Sequence, residues 1–289
     1  MTKILGILNI TEDSFSDGGK FLEPKAAIAH AKSLVKDGAD IIDVGAASSH
    51  PDAADVSVAD EIARLESVWK DLQKLKVPLS VDSFQPEVQL WAIKNGAQWL
   101  NDVSGFANPD IYKAIAASDV RLILMQALRG KGVAQAKDVA PEDLYEHSLE
   151  FFDSRLRPMT QAGIKANRVV LDPGMGFFLS DKPESSVVML HLVDIIRKRF
   201  ALEVMVGVSR KSFLQTIAKT DAAGTDTISF ATEFYAVCKG VDFIRTHNPK
   251  PLKQALPIYD ALRGGARAIL ESMVPPAPEA EAAPEVESK

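Results

Sequence analysis

Polar residues follow short aliphatic runs along this chain, and their types predict a binding site for a small polar heterocycle. Asp82, Asn101 and Asp172 each end such a run. Carboxylates accept hydrogen bonds and an amide both donates and accepts, which suits the N–H-rich edge of a heterocycle. A single aspartate at such a position is more often a helix cap or a turn residue. Caps and turns could explain one or two polar residues at the ends of aliphatic runs, but not all of them. The residues at such ends are Asn9, Asp82, Asn101, Gln126, Asp172, Ser209 and His247.

Two basic segments predict an anion site. Ser209-Arg-Lys211-Ser follows an aliphatic run and precedes a short predicted helix, so backbone N–H groups and two cations would converge there. Arg245-Thr-His247 closes the next aliphatic run in the same way. Lysine and arginine on a surface usually stay solvated, so this prediction rests on their placement at strand ends.

Other chemistries find little support in the sequence. The glycine-rich segments 16–19 and 172–176 lack the Gly-Lys-Ser/Thr of a P-loop and the spaced glycines of a Rossmann fingerprint. Cys238 is the single cysteine and the five histidines are scattered, so neither a structural zinc pattern nor a cysteine nucleophile is indicated.

Composition favours a small-molecule partner. The chain has 289 residues, of which 46% are hydrophobic and 25% charged, with a formal net charge of -6. No basic footprint that would attract nucleic acid or an anionic membrane is visible. The single cysteine, an amino-terminal sequence without a signal-peptide pattern, and the lack of long apolar runs predict a cytoplasmic location.

The elements that must position these side chains alternate between strand and helix. Short Ile, Val and Leu runs separated by helical periodicity are typical of βαβ units. The predicted strands are 4–9, 41–45, 79–82, 99–101, 122–126, 169–172, 204–208 and 243–247. The predicted helices are 24–36, 58–74, 86–95, 110–117, 141–162, 183–199, 227–239 and 249–263.

Eight strands favour a single (β/α)8 TIM barrel, in which the strand-ending residues would ring one mouth. A doubly wound open sheet shares the same alternation and is the alternative. We expect the barrel domain to span residues 1–272. Residues 273–289 are rich in Pro, Ala and Glu and offer little apolar surface to bury, so we predict a disordered tail.

The segment from Gly6 through Asn9 and Asp17 to Gly19 resembles the opening signature of the dihydropteroate synthases. Further motifs follow in the family's order at residues 40–45, 80–83, 101–105, 171–176, 209–213 and 244–247. The resemblance extends from near the start to about Arg263. It implies a transferase of folate biosynthesis that joins a dihydropterin diphosphate to 4-aminobenzoate, uses Mg2+ and forms a homodimer.

The resemblance also implies roles for individual residues. Those implied as catalytic are Asp17, Asp82, Lys211 and Arg245, and those implied as pterin contacts are Asp82, Asn101, Asp172, Lys211 and Arg245. The implied diphosphate contacts are Asn9, Ser49, Arg245 and His247, with Asn9 also toward the metal. The implied 4-aminobenzoate contacts are Ser49, Phe177, Phe178, Ser209 and Arg210.

The chain departs from the family pattern at three places. His50 replaces the usual arginine of the second loop, and Gln126 stands where a histidine is usual. Phe177-Phe178-Leu179 replaces the usual Gly-Phe-Gly-Lys run. The Phe177-Phe178-Leu179 run, together with the second loop at residues 48–53, resembles the sulfonamide-insensitive branch of the family. The Phe177-Phe178-Leu179 run predicts reduced sulfonamide sensitivity.

Two other functions remain open at this stage. A pterin-binding barrel of the folate-dependent methyltransferase type would share the pterin contacts but would need no diphosphate site. Asn9, Arg245 and His247 argue against this alternative, because they indicate that a diphosphate site is present. A non-catalytic pterin-binding paralogue would account for the missing second-loop arginine, although Asn9, Asp17 and Lys211 are intact.

Overall fold

In a computed structural model of the chain, which describes residues 2–11, 24–48, 54–129, 139–221, 224–265 and 273, the strands form a closed parallel barrel. The strands are hydrogen-bonded in sequence order, and β8 closes on β1. Their bounds are β1 Lys3–Asn9, β2 Ile41–Gly45, β3 Leu79–Asp82, β4 Trp99–Asp102, β5 Arg121–Met125, β6 Val169–Asp172, β7 Glu203–Val206 and β8 Phe243–Thr246.

The α-helices surround the barrel. Their bounds are α1 Pro24–Lys36, α2 Val58–Gln73, α3 Pro86–Lys94, α4 Tyr112–Ala116, α5 Leu144–Gln161, α6 Pro183–Phe200, α7 Ser212–Ala218, α8 Thr225–Cys238 and α9 Pro249–Asp260. Short 3-10 turns occupy Pro109–Ile111, Pro141–Asp143, Ala166–Arg168 and Gly176–Phe178.

Local chemistry explains where these helices begin. The Ser57 side chain caps α2 by accepting a hydrogen bond from the Asp60 backbone N–H at 3.1 Å. Helices α1, α3, α6 and α9 begin with proline, whose fixed φ and missing N–H suit the first helical turn. Strand β2 is buried along its whole length, as expected for a parallel strand between the barrel interior and the helices.

One end of the barrel is closed by apolar packing. A cluster of buried side chains fills it: Leu5, Ile41, Trp99, Ile123, Val170, Met205 and Phe243. Arg121 covers this cluster, because its guanidinium lies 4.3 Å from the Trp99 ring and pairs with Glu203. A ligand must therefore approach from the opposite end, where the strands terminate.

The predicted barrel and all eight strands are confirmed, with bounds shifted by at most two residues. Strands β5, β7 and β8 end before Gln126, Val208 and His247, which places these three residues in the loops. The helices predicted at 110–117 and 141–162 were wrong at their starts, because Pro109–Ile111 and Pro141–Asp143 form 3-10 turns instead.

The predicted last helix was too long. Helix α9 ends at Asp260, and the chain continues as a π-type turn at Ala261–Gly265. The predicted tail 273–289 lies outside the described residues except for Met273. Within the described part of the chain, no helix is both long and apolar enough to cross a membrane.

Candidate active site

The register of the parallel strands gathers the predicted polar residues at one rim. Gly45 pairs with Asp82, and Asp82 pairs with Asn101. Asp172 pairs with Met125 at the next strand ends. Because all strands run in one direction, these carboxyl ends lie on the same face of the barrel.

Arg245 of β8 joins the carboxylates of two other strands. Its Nε donates to Asp43 Oδ2 at 2.6 Å, and its Nη2 donates to Asp82 Oδ2 at 2.7 Å. Asn101 Nδ2 donates to the same Asp43 oxygen at 3.0 Å. The four side chains form one charged, hydrogen-bonded group inside the mouth, which we call the Arg245 cluster.

Asp43 was missed as a site residue by the sequence prediction. It is fully buried within the otherwise apolar β2, two residues before the strand ends. A carboxylate at such a position is costly to bury without a partner, and that cost was the signal available in the sequence. Its partner Arg245 lies 202 residues further along the chain.

Burial and charge set the protonation of the Arg245 cluster. Burial, opposed by Arg245 and assisted by the negative charge of Asp43, raises the pKa of Asp82 to about 7. Burial disfavours the charge of Arg245, but the carboxylates of Asp43 and Asp82 outweigh it, so the pKa of the guanidinium is raised. Arg245 is therefore charged at every physiological pH, whereas Asp82 can exchange a proton near neutrality.

Lys211 and Asp172 are two further oppositely charged side chains of the mouth, and each influences the protonation of the other. Lys211 Nζ donates to the Met175 carbonyl at 2.7 Å and lies 5.5 Å from the Phe178 ring centroid. Burial lowers the pKa of Lys211 to about 8, against the attraction of Asp172. Burial likewise raises the pKa of Asp172, against Lys211 and the Gly174 N–H that donates to Oδ1 at 2.9 Å.

Several buried polar atoms at the mouth have no hydrogen-bond partner within the described structure. They are Oδ1 of Asp43, Oδ1 of Asn101 and both polar atoms of the Gln126 amide. Leaving a buried polar group unpaired costs about 1–3 kcal/mol, so such a concentration at one place indicates a site built for a ligand. The ligand must offer donors to these oxygens.

The ends of β7 and β8 form a separate polar group. The Ser209 hydroxyl accepts the His247 backbone N–H at 3.2 Å and lies 3.1 Å from the same residue's Nδ1. Burial, and then the positive charges of Arg210 and Arg245, lower the pKa of His247 well below its ordinary value. His247 is therefore a neutral imidazole beside two cations.

Arg210 is oriented by α8. Its backbone N–H donates to the Ser229 hydroxyl at 2.9 Å, and its Nε donates to Asp226 at 3.0 Å. Its φ is 58°, a left-handed conformation that is unusual for a residue with a side chain. The predicted 4-aminobenzoate contact is thus ion-paired at the mouth's edge.

The two phenylalanines of the β6 loop lie together near Lys211. Phe177 and Phe178 belong to the 3-10 turn after Met175, and their ring centroids are 5.8 Å apart at 73°. Phe178 packs on the apolar group of Val103, Met125 and Ala127, and its carbonyl accepts the Leu128 N–H at 2.7 Å. The backbone of this loop is therefore fixed at the mouth.

Asn9 ends β1 beside Gly45 and Asp82. A Cβ placed on Gly45 would lie 3.4 Å from Asn9 Oδ1 and 3.8 Å from Asp82 Oδ2, so the glycine leaves these two groups close together. Asp17 and Ser49 lie outside the described residues, as does His50. The structure thus brings together Asn9, Asp82, Asn101, Asp172, Lys211, Ser209, Arg245 and His247 around one mouth.

Comparison with known proteins agrees with this geometry. The model of a family described as "Pterin binding enzyme" matches residues 5–247. The type-3 dihydropteroate synthase of Escherichia coli is 47% identical over 262 residues, which cover 91% of this chain and 100% of that protein. The type-2 dihydropteroate synthase of Escherichia coli is 46% identical over 264 residues, covering 91% of this chain and 97% of that protein.

The fold is also similar to that of a solved dihydropteroate synthase structure. The dihydropteroate synthase of Clostridium difficile, crystallised in the presence of pteroic acid, is 32% identical to this chain, with a TM-score of 0.80. The match covers 90% of this chain and 96% of that one.

Proposed function

The chain belongs to the dihydropteroate synthases of the pterin-binding enzyme family, and from that premise we propose how its residues make 7,8-dihydropteroate. The substrates are (7,8-dihydropterin-6-yl)methyl diphosphate and 4-aminobenzoate, and the second product is diphosphate. The observation that carries the proposal is the Arg245 cluster, with its unpaired oxygens, next to a basic loop at one mouth.

We propose that the pterin ring binds among Asp82, Asn101, Asp172 and Lys211, with Arg245 against its face. The free oxygens of Asp43 and Asn101 would accept the ring N–H groups, which removes the cost of leaving them unpaired. The Gln126 amide, also unpaired, would add one donor and one acceptor at the same rim.

The diphosphate would be held by Asn9, Ser49, Arg245 and His247. A neutral His247 can donate one ring N–H, and Arg245 supplies a fixed positive charge. An amide oxygen such as that of Asn9 suits Mg2+, which prefers oxygen ligands and commonly keeps waters and substrate phosphates. Bound there, Mg2+ would supply charge neutralisation for the departing diphosphate.

In the reaction the bond between the pterin methylene carbon and the diphosphate oxygen breaks, and the bonding electrons leave with the diphosphate. The 4-aminobenzoate nitrogen forms a bond to that carbon and then loses a proton. The methylene carbon becomes electron-poor in the transition state, and the nearby carboxylates of Asp82 and Asp172 would stabilise it. No protein nucleophile is required, so positioning of the amine carries much of the rate enhancement.

The carboxylate of 4-aminobenzoate would bind at the start of α7 through Ser209, assisted by Arg210 and Ser49. Phe177 and Phe178 would border the ring. Asp17, which lies between β1 and α1 in the sequence, would help to close the site. A sulfonamide replaces the flat carboxylate by a bulkier tetrahedral group, so these aromatic side chains would disfavour the drug by a clash and reduce sulfonamide sensitivity.

We further propose a homodimer that works in the cytoplasm, with a barrel domain over residues 1–272 and an appended tail. Cys238 is exposed and free, which agrees with a reducing compartment. Light scattering after gel filtration tests the dimer directly.

Binding calorimetry tests the proposed site. The pterin diphosphate should bind in the presence of Mg2+, and Arg245→Met should weaken that binding by roughly tenfold or more. Equal affinity in the two proteins would exclude Arg245 from the site.

A further inference from the structure

Gln89 of α3 is a buried amide for which the proposed reaction has no role. It is 1% exposed. Its Nε2 donates to the Ser83 carbonyl at 2.8 Å and to Asp102 Oδ2 at 2.8 Å. A backbone carbonyl can only accept hydrogen bonds, so the amide must turn its nitrogen toward both partners. Both hydrogens of Nε2 are thus used to join two other elements of the barrel.

The two partners of Gln89 directly follow two of the proposed pterin contacts. Ser83 comes after Asp82 at the end of β3, and Asp102 comes after Asn101 at the end of β4. Successive residues of a strand point to opposite faces. Since Asp82 and Asn101 make their hydrogen bonds inside the mouth, Asp102 faces the helices, where it contacts Gln89. Gln89 therefore joins the two strand ends from behind the pterin contacts.

This connection lies where the backbone pairing of β3 with β4 ends. The register pairs Asp82 with Asn101, and the Ser83 N–H donates to the Asn101 carbonyl at 3.0 Å. In a continuing parallel ladder the Ser83 carbonyl would accept the next backbone N–H of the neighbouring strand. Strand β4 ends at Asp102, and the Gln89 amide donates to the Ser83 carbonyl. A side chain thus continues the pairing by one hydrogen bond.

The carboxyl group of Asp102 is held at both oxygens. Its Oδ1 accepts the Ser104 N–H at 2.6 Å, and its Oδ2 accepts from Gln89. Asp102 is buried, so loss of the Gln89 donor would leave a buried oxygen unpaired and favour a rotation of the residue. The adjacent Asn101 would move with it. Asn101 Oδ1 is one of the oxygens of the mouth that have no partner within the described structure.

We propose that Gln89 is a positioning residue that sets the spacing of Asp82 and Asn101 for the pterin ring. The proposal rests on the proposed function, in which these two side chains bind the ring. Hydrogen bonds depend on distance and angle, so a small shift of the two strand ends would misalign both contacts. Asp172 ends β6, which is separated from β4 by β5, so its position should not depend on Gln89.

Gln89→Met keeps the length of the side chain and removes both donated hydrogens. It should weaken binding of the dihydropterin methyl diphosphate roughly five- to tenfold in calorimetry with Mg2+, as expected when one hydrogen bond to the ring is misplaced. The KM for 4-aminobenzoate at saturating pterin should not change. Gln73→Met is the matched control, because Gln73 Nε2 donates to the Asn95 carbonyl at 3.0 Å on the exposed side of α2. It should bind the pterin as the wild type does.

A double-mutant cycle separates positioning from a loss of stability. Asn101→Ala should weaken pterin binding by a smaller factor in Gln89→Met than in the wild type, because the Asn101 side chain is already misplaced there. Asp172→Asn should weaken binding by the same factor in both backgrounds. If Asn101→Ala has the same effect in both, Gln89 is only structural and the proposal is wrong. Equal pterin affinity in the wild type and Gln89→Met would also overturn it.

A second variant applies if Gln89→Met does not fold. Gln89→Met combined with Asp102→Leu removes both partners of one hydrogen bond, so no carboxylate is left buried and unpaired. This double variant should fold and should show the same five- to tenfold loss of pterin affinity, roughly the factor for one misplaced hydrogen bond. Wild-type affinity in the folded double variant would contradict the proposal.

Nitrogen-15 NMR of the asparagine side-chain amides follows the position of Asn101 without any substrate. The signal of Asn101 Nδ2, assigned with Asn101→Asp, should shift in Gln89→Met, or in its combination with Asp102→Leu, and should keep its wild-type position in Gln73→Met. An unshifted signal in the folded Gln89 variants would overturn the proposal. Failure of the wild type to bind the pterin substrate or to make dihydropteroate would instead contradict the proposed function, because the NMR measurement needs neither.

Discussion

Replacing Asp82 by asparagine separates the role of its charge from its contribution to the fold. In the wild type, Arg245 Nη2 donates to Asp82 at 2.7 Å while Nε donates to Asp43 at 2.6 Å, so the guanidinium keeps one carboxylate in the variant. A hydrogen bond to a charged group contributes about 1.5–3 kcal/mol. The kcat/KM for the pterin substrate should therefore fall roughly ten- to a hundredfold or more.

The same substitution should not lower stability above neutral pH. The pKa of Asp82 is raised from 3.8 to about 7 on folding, chiefly by burial, so ionisation destabilises the folded state. The protonated Asp82 side chain therefore adds to the free energy of unfolding below pH 4, and this contribution is lost as the pH rises from 4 to about 7. Asparagine cannot ionise, so at pH 8 the variant should melt at the wild-type temperature or above it.

Diphosphate release measures kcat/KM, fluorescence titration measures pterin affinity, and thermal unfolding at pH 4 and pH 8 measures stability. Asp71→Asn is the control, because it removes an equal charge from the exposed surface of α2, where Asp71 pairs with Lys74. It should retain full activity. Equal pterin affinity in the wild type and Asp82→Asn, or an activity loss that parallels a lower melting temperature at pH 8, would refute the reasoning.

Three further predictions follow from the same mouth. Asp172→Asn should also lower kcat/KM roughly tenfold or more, because it removes the charge beside Lys211; unchanged pterin affinity would exclude that role. Phe177→Gly and Phe178→Gly should each lower the ratio of the sulfonamide inhibition constant to the KM for 4-aminobenzoate, because removing a clash of about 1.4 kcal/mol changes affinity tenfold. The proposed role of this loop is wrong if the wild type is as sensitive to sulfonamides as an ordinary family member, or if neither variant lowers the ratio. Truncation after Met273 should leave kcat and the melting temperature unchanged, and a large loss of turnover would show that the tail contributes to activity.

The sequence predicted the barrel because its strands are short aliphatic runs that end in polar residues, and parallel register then brings Asp82, Asn101 and Asp172 to one rim. Asp43 was not predicted to belong to the site, since it lies inside a strand and its partner Arg245 is 202 residues away. Such a contact depends on the tilt of strands across the barrel interior, which a local pattern does not specify.

The local sequence pattern also could not predict which partners the side chains contact. Arg210 was predicted from its place beside Lys211, but its ion pair with Asp226 depends on where α8 packs. The 3-10 turns before α4 and α5 were predicted as the first turns of those helices. The two kinds of turn differ only in whether a backbone N–H bonds to the carbonyl three or four residues earlier. Propensity does not separate them near a proline.

The most direct test of the account is identification of the product. Purified protein should be incubated with Mg2+, the dihydropterin methyl diphosphate and 4-aminobenzoate, and the mixture analysed by mass spectrometry and for released diphosphate. We expect 7,8-dihydropteroate and diphosphate in equal amounts, with neither formed when 4-aminobenzoate is omitted and much less of both formed by Asp82→Asn. If wild-type protein that binds the pterin substrate yields no dihydropteroate, the central claim is wrong.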